Sequence, residues 1–154
     1  MAVTWILAAN RSRARVLEIR TDDTTPRECA DFANPSARAH ERDLESDAAG
    51  RFFGGEREQG HGASGGENAG DHETDRFVID LRNFLEHART EKRYDHLWVV
   101  AAPAVLGLLR KAFSKPLRQH VEVEIDKDVT TEKPGEIVRY VREERKRRRE
   151  LGKL

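Results

Sequence analysis

The run "VTWILAA" (3–9) is short, apolar and rich in strand formers, and "NRS" breaks it. "ARVLEIR" (14–20) then alternates, with Val16, Glu18 and Arg20 on one face and Leu17 and Ile19 on the other. Together they predict a hairpin turning at Asn10–Ser12. "TDDTTP" (21–26) reads as a loop, and "RECADFA" (27–33) as a third strand that Pro35 ends.

From 36 to 72 no helical or strand period is sustained. "ARAHERDLES" has room for a helical turn or two, and the rest is glycine, charge and small residues. Residues 51–70 hold 7 of the 11 glycines. Loops this long inside a domain are usually functional or disordered. The expectation is a glycine-rich flexible loop at about 45–72, anchored at one end by Phe52 and Phe53. Its part from 54 to 72 should be the most mobile internal segment and the first to be cut by a protease.

Regularity returns at Phe77. Val78, Leu81, Phe84, Leu85 and Ala88 continue a spacing of three and four, which predicts an amphipathic helix. "HLWVVAA" (96–102) is almost wholly apolar, as a central strand covered on both faces would be. Leu97 to Ala101 should therefore lie inside the sheet, flanked by the helices that contain Phe84 and Leu109. Pro103 suits a first helical turn, Val105, Leu108, Leu109 and Ala112 supply an apolar face, and Pro116 ends or kinks that helix. "VEVEI" (121–125) alternates as a fifth strand, and Pro134 opens a basic C-terminal helix at about 134–150. The predicted fold is one α/β domain over 1–154. It is a mixed five-stranded sheet with helices packed on it, ordered β-β-β, long loop, α-β-α-β-α. Two successive strand–helix crossovers require parallel neighbours.

Charged residues make up 36% of the chain and apolar residues 37%, with no net charge. The distribution is more informative than the total. Residues 41–75 contain ten acids and three arginines, residues 96–121 contain Arg110, Lys111, Lys115 and Arg118 with no acid, and residues 139–153 contain eight Lys/Arg against three Glu. The molecule is expected to be dipolar, with a basic C-terminal side. Cys29 is the only cysteine, which excludes an internal disulfide and a CxxC zinc site. The N-terminus lacks the basic region and long apolar run of a signal peptide, and no segment approaches a membrane span. The expected setting is cytoplasmic, with no membrane partner.

The glycine stretch matches neither G-x-x-x-x-G-K-[ST] nor G-x-G-x-x-G between a strand and a helix, and its acids would repel a phosphate. His61, His72 and Glu73 approach one another only if the loop folds back, and their spacing is no recognised ligand pattern. His40–Glu41 reads as surface hydrogen bonding. No metal and no cofactor are expected. The strongest local binding signal is "RKAFSKPLRQH". Lys111, Lys115 and Arg118 would share one helical face if Pro116 only kinked the helix, and they are the candidate nucleic-acid-binding residues. They would then lie beside the strand end at Ala102–Pro103. The competing reading of that stretch, and of "REERKRRRE" in the tail, is a solvated basic helix.

The stretches "AANRSRARVLEI", "AHERDLESDAAGRFF", "DRFVIDLRNFL", "HLWVVAAPAVLGLLRKAFSKPLRQHV" and "EIDKDVTTEKPGEI" resemble, in that order, the bacterial host attachment protein family. The resemblance covers about residues 3–138. That family is in turn similar to the middle domain of archaeal and eukaryotic class 1 peptide-chain release factors. There a Gly-Gly-Gln tip ends a mobile loop, followed by a long helix and an apolar strand. "FFGGE", the helix containing "DRF", and "WVVAAP" fall in the same order here. The resemblance implies that Gly54 and Gly55 correspond to the tip glycines, with backbone conformations closed to other residues. Glu56 stands where the glutamine would be, and its carboxylate would oppose a developing oxyanion. A complete release factor also needs codon-reading and partner-binding domains that 154 residues do not hold.

The expected function is therefore that of a host attachment family protein binding RNA or a ribosome-associated target through a release-factor-like domain. Two other readings stand beside it. One is a protein–protein interaction module whose loop orders on its partner. The other is a hydrolase acting through Gly54, Gly55 and Glu56. Substrate, oligomeric state and strand order are not legible in the sequence.

Overall fold

The computed structural model describes residues 2–21, 25–37 and 63–152, with the backbone alone for 63–71. Strands β1 (Val3–Ala9) and β2 (Arg13–Arg20) form the expected hairpin, with Ala9 opposite Ala14. Its turn is built by Asn10, whose Oδ1 accepts hydrogen bonds from the backbone N–H of Ser12 at 2.9 Å and of Arg13 at 2.8 Å. Such a side chain mimics a backbone turn, and that is why asparagine breaks the apolar run here. Strand β3 (Arg27–Ala33) pairs antiparallel with β2. Val16 faces Ala30 but Leu17 faces Glu28, so Cys29 is the extra residue of a bulge. A bulge and the charges of Arg27, Glu28 and Asp31 are features that discourage pairing with a further strand at a sheet edge.

The second half runs α1 (Ala63–Thr90), β4 (His96–Ala101), α2 (Pro103–Ala112), α3 (Lys115–His120), β5 (Val121–Asp126) and α4 (Pro134–Glu150). The sheet order is β3-β2-β1-β4-β5, with β4 parallel to both β1 and β5. Helix α1 carries the first parallel crossover, and α2 with α3 the second. All three cover one face, where Trp5, Leu7, Val16, Leu97 and Val99 pack against Phe77, Leu81, Leu85, Leu109 and Leu117. On the other face Ile6, Leu17, Trp98, Val100 and Ile125 meet Ile137, Val138 and Val141 of α4. Strand β4 is thus buried from both sides, as its unbroken apolar run predicts. The observed fold is the expected mixed five-stranded α/β sheet.

Two local expectations change. Helix α1 begins at Ala63, inside the stretch assigned to the loop, so residues 63–72 have helical backbone. A helix once nucleated by the packed turns from Phe77 onward gains a hydrogen bond for each added residue. It therefore extends through positions whose sequence shows no apolar period. The helix after Pro103 also does not run through Pro116. It stops at Ala112, Phe113 is extended, and Ser114 caps a new helix by accepting the backbone N–H of Leu117 on its Oγ at 3.2 Å. Pro116 sits in the first turn of that helix, where its missing N–H costs nothing. Lys111 therefore lies on α2, and Lys115 and Arg118 on α3. The loop residues Phe52, Phe53, Gly54, Gly55 and Glu56, with His40, Glu41 and His61, lie outside the described residues.

Candidate functional site

The three parallel strands β1, β4 and β5 give the sheet a carboxyl pole and an amino pole. At the carboxyl pole, where open α/β sheets tend to bind ligands, the polar side chains are engaged with one another. Arg15 is 5% exposed although it is charged. Its Nε and Nη2 donate to the two Glu28 oxygens, both at 2.9 Å, and its Nη1 donates to the carbonyls of Thr130 at 2.9 Å and Glu132 at 2.6 Å. Arg13 makes the same two-pronged contact with Asp31. Asn10 Nδ2 donates to Asp128 Oδ2 at 2.9 Å and to Thr130 Oγ1 at 3.1 Å. Burial alone would raise the Asp128 carboxyl. Hydrogen bonds from Asn10 and from the backbone and hydroxyl of Thr130 outweigh that and hold it below the usual aspartate range. The bracket ties the β1–β2 hairpin and β3 to the segment between β5 and α4. It joins "NRSRAR" to "DKDVTTEK", two stretches more than a hundred residues apart.

The candidate nucleic-acid-binding residues are at the opposite pole. Helix α2 starts at the carboxyl end of β4, and its ten residues carry the chain back by about 15 Å. Helix α3 then leads into the start of β5, and His120 Nδ1 lies 2.9 Å from the Asp95 carbonyl, next to the start of β4. The expected location beside Ala102–Pro103 is therefore corrected, because a parallel crossover must return its helix to the far end of the sheet. Lys115 and Arg118 are three residues apart on α3 and so share a face, and Lys111 is in the last turn of α2. All three are exposed, and none forms an ion pair among the described residues.

Their surroundings differ from the acid-free run of the sequence. Arg110 pairs with Glu124 of β5, and Ser114 donates to Glu86 of α1. Burial would push Glu86 up, yet the bonds from Ser114 and Arg89, with the charges of Arg89 and Arg82, hold it below the usual glutamate range. In α4, Arg139, Arg147 and Arg148 each pair with a glutamate of the same helix. The basic tail is thus compensated to a greater degree than the α2–α3 segment.

A cleft of about 290 Å³ opens at the amino pole on the α4 face, lined by Arg20, His96, Trp98, Glu122, Arg142 and Arg145 among others. Sequence reasoning missed it because β2, β4, β5 and α4 each contribute to its wall and no stretch carries a motif. A second cleft, of about 310 Å³, lies beside Lys127, Glu132, Arg139 and Tyr140 and mixes charges of both signs.

Among the described residues no three His, Cys, Asp or Glu side chains are placed to hold a metal ion. His72 and Glu73 are exposed on α1. Burial, followed by the charge of Glu18, raises the Cys29 thiol, the opposite of what a reactive thiolate needs. No described helix is long and apolar enough to cross a membrane.

No curated protein matches the chain. A family model described as "Protein required for attachment to host cells" matches residues 5–141, from within β1 into the middle of α4. The match takes in all five strands but for the first two residues of β1, together with the bracket and the α2–α3 cations, and the chain belongs to this family of proteins required for attachment to host cells.

Proposed function

We propose that this member of the host attachment family is a cytoplasmic RNA-binding protein, and that a ribosome-associated RNA is its target. The observation that carries the reading is the set of three exposed cations, Lys111, Lys115 and Arg118, on consecutive short helices and without ion pairs among the described residues. Side chains of this kind bind phosphates without reading sequence. The break at Phe113–Ser114 supports the reading, because it fixes the start of α3 by a side-chain cap and so holds Lys115 and Arg118 in a defined orientation.

The similarity to release-factor middle domains belongs to the same proposal. In it Gly54 and Gly55 would form the tip of a loop that approaches RNA, with Glu56 in place of glutamine. A carboxylate there disfavours ester hydrolysis, so the proposed role is binding rather than termination. Ultraviolet crosslinking of the full chain in cells tests the reading. Recovery of ribosomal or transfer RNA, reduced when Lys111, Lys115 and Arg118 are replaced by alanine, is the expected result. Recovery of a defined protein with no crosslinked RNA would overturn it in favour of a protein–protein interaction module.

A further inference from the structure

We propose that Lys92 and Arg93, in the turn between α1 and β4, are further contacts to the RNA backbone, so that a single strand crosses from α3 onto this turn, an extension that rests on the RNA-binding reading of the α2–α3 cations. Both side chains are exposed, and neither forms an ion pair among the described residues. In sequence they stand between Glu91 and Asp95 and so lack the acid-free surroundings of the α2–α3 segment. In the structure both acids have other partners. A Glu91 oxygen lies 3.2 Å from His87 Nε2, and Asp95 Oδ2 accepts the backbone N–H of Val3 at 2.8 Å.

Lys92 is the strongest pointer. Helix α1 is closed by two backbone bonds, from the N–H of Lys92 to the Arg89 carbonyl at 2.9 Å and from the N–H of Arg93 to the Ala88 carbonyl at 3.0 Å. This pair of bonds needs a left-handed residue at the position of Lys92, and glycine usually fills it. Lys92 has a φ of 57°, and among the described residues it is the only non-glycine with positive φ. A side chain in that conformation crowds the following carbonyl, which glycine avoids. The protein does use glycine for the same task after α4, where Gly152 has a φ of 71° and donates to the Arg149 carbonyl at 3.0 Å. A lysine in the turn after α1 therefore costs folding free energy and supplies an exposed cation. Strain of this kind concentrates at functional positions.

The turn adjoins the α3 cations. His120, two residues after Arg118, has its Nδ1 2.9 Å from the Asp95 carbonyl and its ring centroid 5.9 Å from that of Tyr94. The Arg93 guanidinium lies over the buried Trp5 ring, 5.0 Å from the centroid. The ring holds the guanidinium without neutralising it, so less side-chain freedom is lost when a phosphate binds. With Lys111, Lys115 and Arg118, these two residues make five exposed cations at the amino pole that have no ion pair among the described residues. Charges without a carboxylate partner suit the RNA backbone, which is read by charge and not by sequence.

Binding of a labelled single-stranded RNA to the full chain across a salt series supplies the test. Lys92→Gly and Arg93→Ala together should weaken binding several-fold and lower the slope of log affinity against log salt by about 1.4, at about 0.7 for each phosphate contact. Lys92→Gly alone should lose about half of that slope, with a melting temperature equal to or above that of the wild type, because glycine takes positive φ without strain. A structural role for Lys92 would not give lower affinity with undiminished stability. In nitrogen–proton correlation spectra RNA should shift the indole signal of Trp5, beneath Arg93, and leave that of Trp98 on the opposite face of the sheet. A shift of Trp98 alone would place the RNA on the other face and overturn the proposal. If the wild-type chain binds no RNA, or if it binds RNA and the Lys111/Lys115/Arg118 triple alanine variant binds equally well, the RNA-binding reading fails and the extension with it. If the triple variant loses affinity while the Lys92→Gly/Arg93→Ala variant keeps wild-type affinity and slope, the extension alone fails. A lower melting temperature in Lys92→Gly would also overturn it, by assigning the lysine to the fold.

Discussion

The two poles of the sheet use the same residue types in opposite ways. At the carboxyl pole Arg13, Arg15, Asp31, Glu28 and Asp128 are paired at hydrogen-bonding distance, and the pairs connect elements that are remote in sequence. At the amino pole Lys111, Lys115 and Arg118 have no such partner among the described residues, and Arg145 has one long bond. Charges of the first kind hold the fold. Exposed charges without partners, such as Lys111, Lys115 and Arg118, contribute little to folding, and they are the ones the proposed RNA binding uses. A basic stretch is thus not a binding site by composition alone; what matters is whether its partners are already supplied by the protein.

The sharpest way to break this comparison is at Arg15. Replacing it with alanine would strand Glu28 and leave the carbonyls of Thr130 and Glu132 without their donor. Removing one partner of a buried pair costs about 3 kcal/mol or more. For a chain of this size that lowers the melting temperature by roughly 6–12 °C. Thermal unfolding that shifts by less than about 2 °C would show that the bracket is decorative. Ser114→Ala sharpens the other side. It removes the cap of α3 and the bond to Glu86, and should lower stability in urea unfolding by about 1 kcal/mol. RNA affinity should fall with it, because Lys115 and Arg118 lose their fixed setting. An unchanged affinity would mean that their placement is not organised by the cap.

A smaller effect is expected at Asp128. Its carboxyl is held below the usual aspartate range in the folded state. Its contribution is therefore complete above the ordinary aspartate value near 3.9, and is lost as pH falls from there through the folded-state value. Asp128→Asn should flatten the acid limb of the stability–pH curve, measured by urea unfolding between about pH 6 and pH 3. An identical acid limb in the variant would contradict the assignment. The smallest effect on stability belongs to Lys111→Ala, Lys115→Ala and Arg118→Ala together, within about 0.5 kcal/mol per site, as for surface positions without structural partners. A larger loss would move these residues into the structural class.

Much of the architecture was legible because burial leaves a period. Phe77 to Ala88 showed one helical face, and "HLWVVAA" lacked polar positions because helices cover β4 on both sides. Residues 63–72 gave no such signal, because their glycines and polar residues carry no apolar repeat. The strand order was invisible because it depends on which crossovers pack together, and single segments do not record that. The candidate cations were expected on one kinked helix beside Ala102–Pro103, whereas they lie on two helices near the other end of the sheet. The acids that approach their segment, Glu86 and Glu124, come from α1 and β5. The bracket left no signal of its own, its residues appearing only within stretches quoted for the family resemblance. It consists of contacts such as Arg15 to the Thr130 carbonyl, which neither stretch reveals alone.

The central claim, that the amino-pole cations are free to bind nucleic acid while the carboxyl-pole charges are not, is tested most directly by RNA affinity across a salt series. The wild-type chain and the Lys111/Lys115/Arg118 triple alanine variant should be compared on the same single-stranded RNA. Each phosphate contact contributes about 0.7 to the slope of log affinity against log salt. The triple variant should therefore bind more weakly, with a slope reduced by roughly two units and no change in sequence preference. Equal affinity and equal slope, with the variant fully folded, would contradict the account.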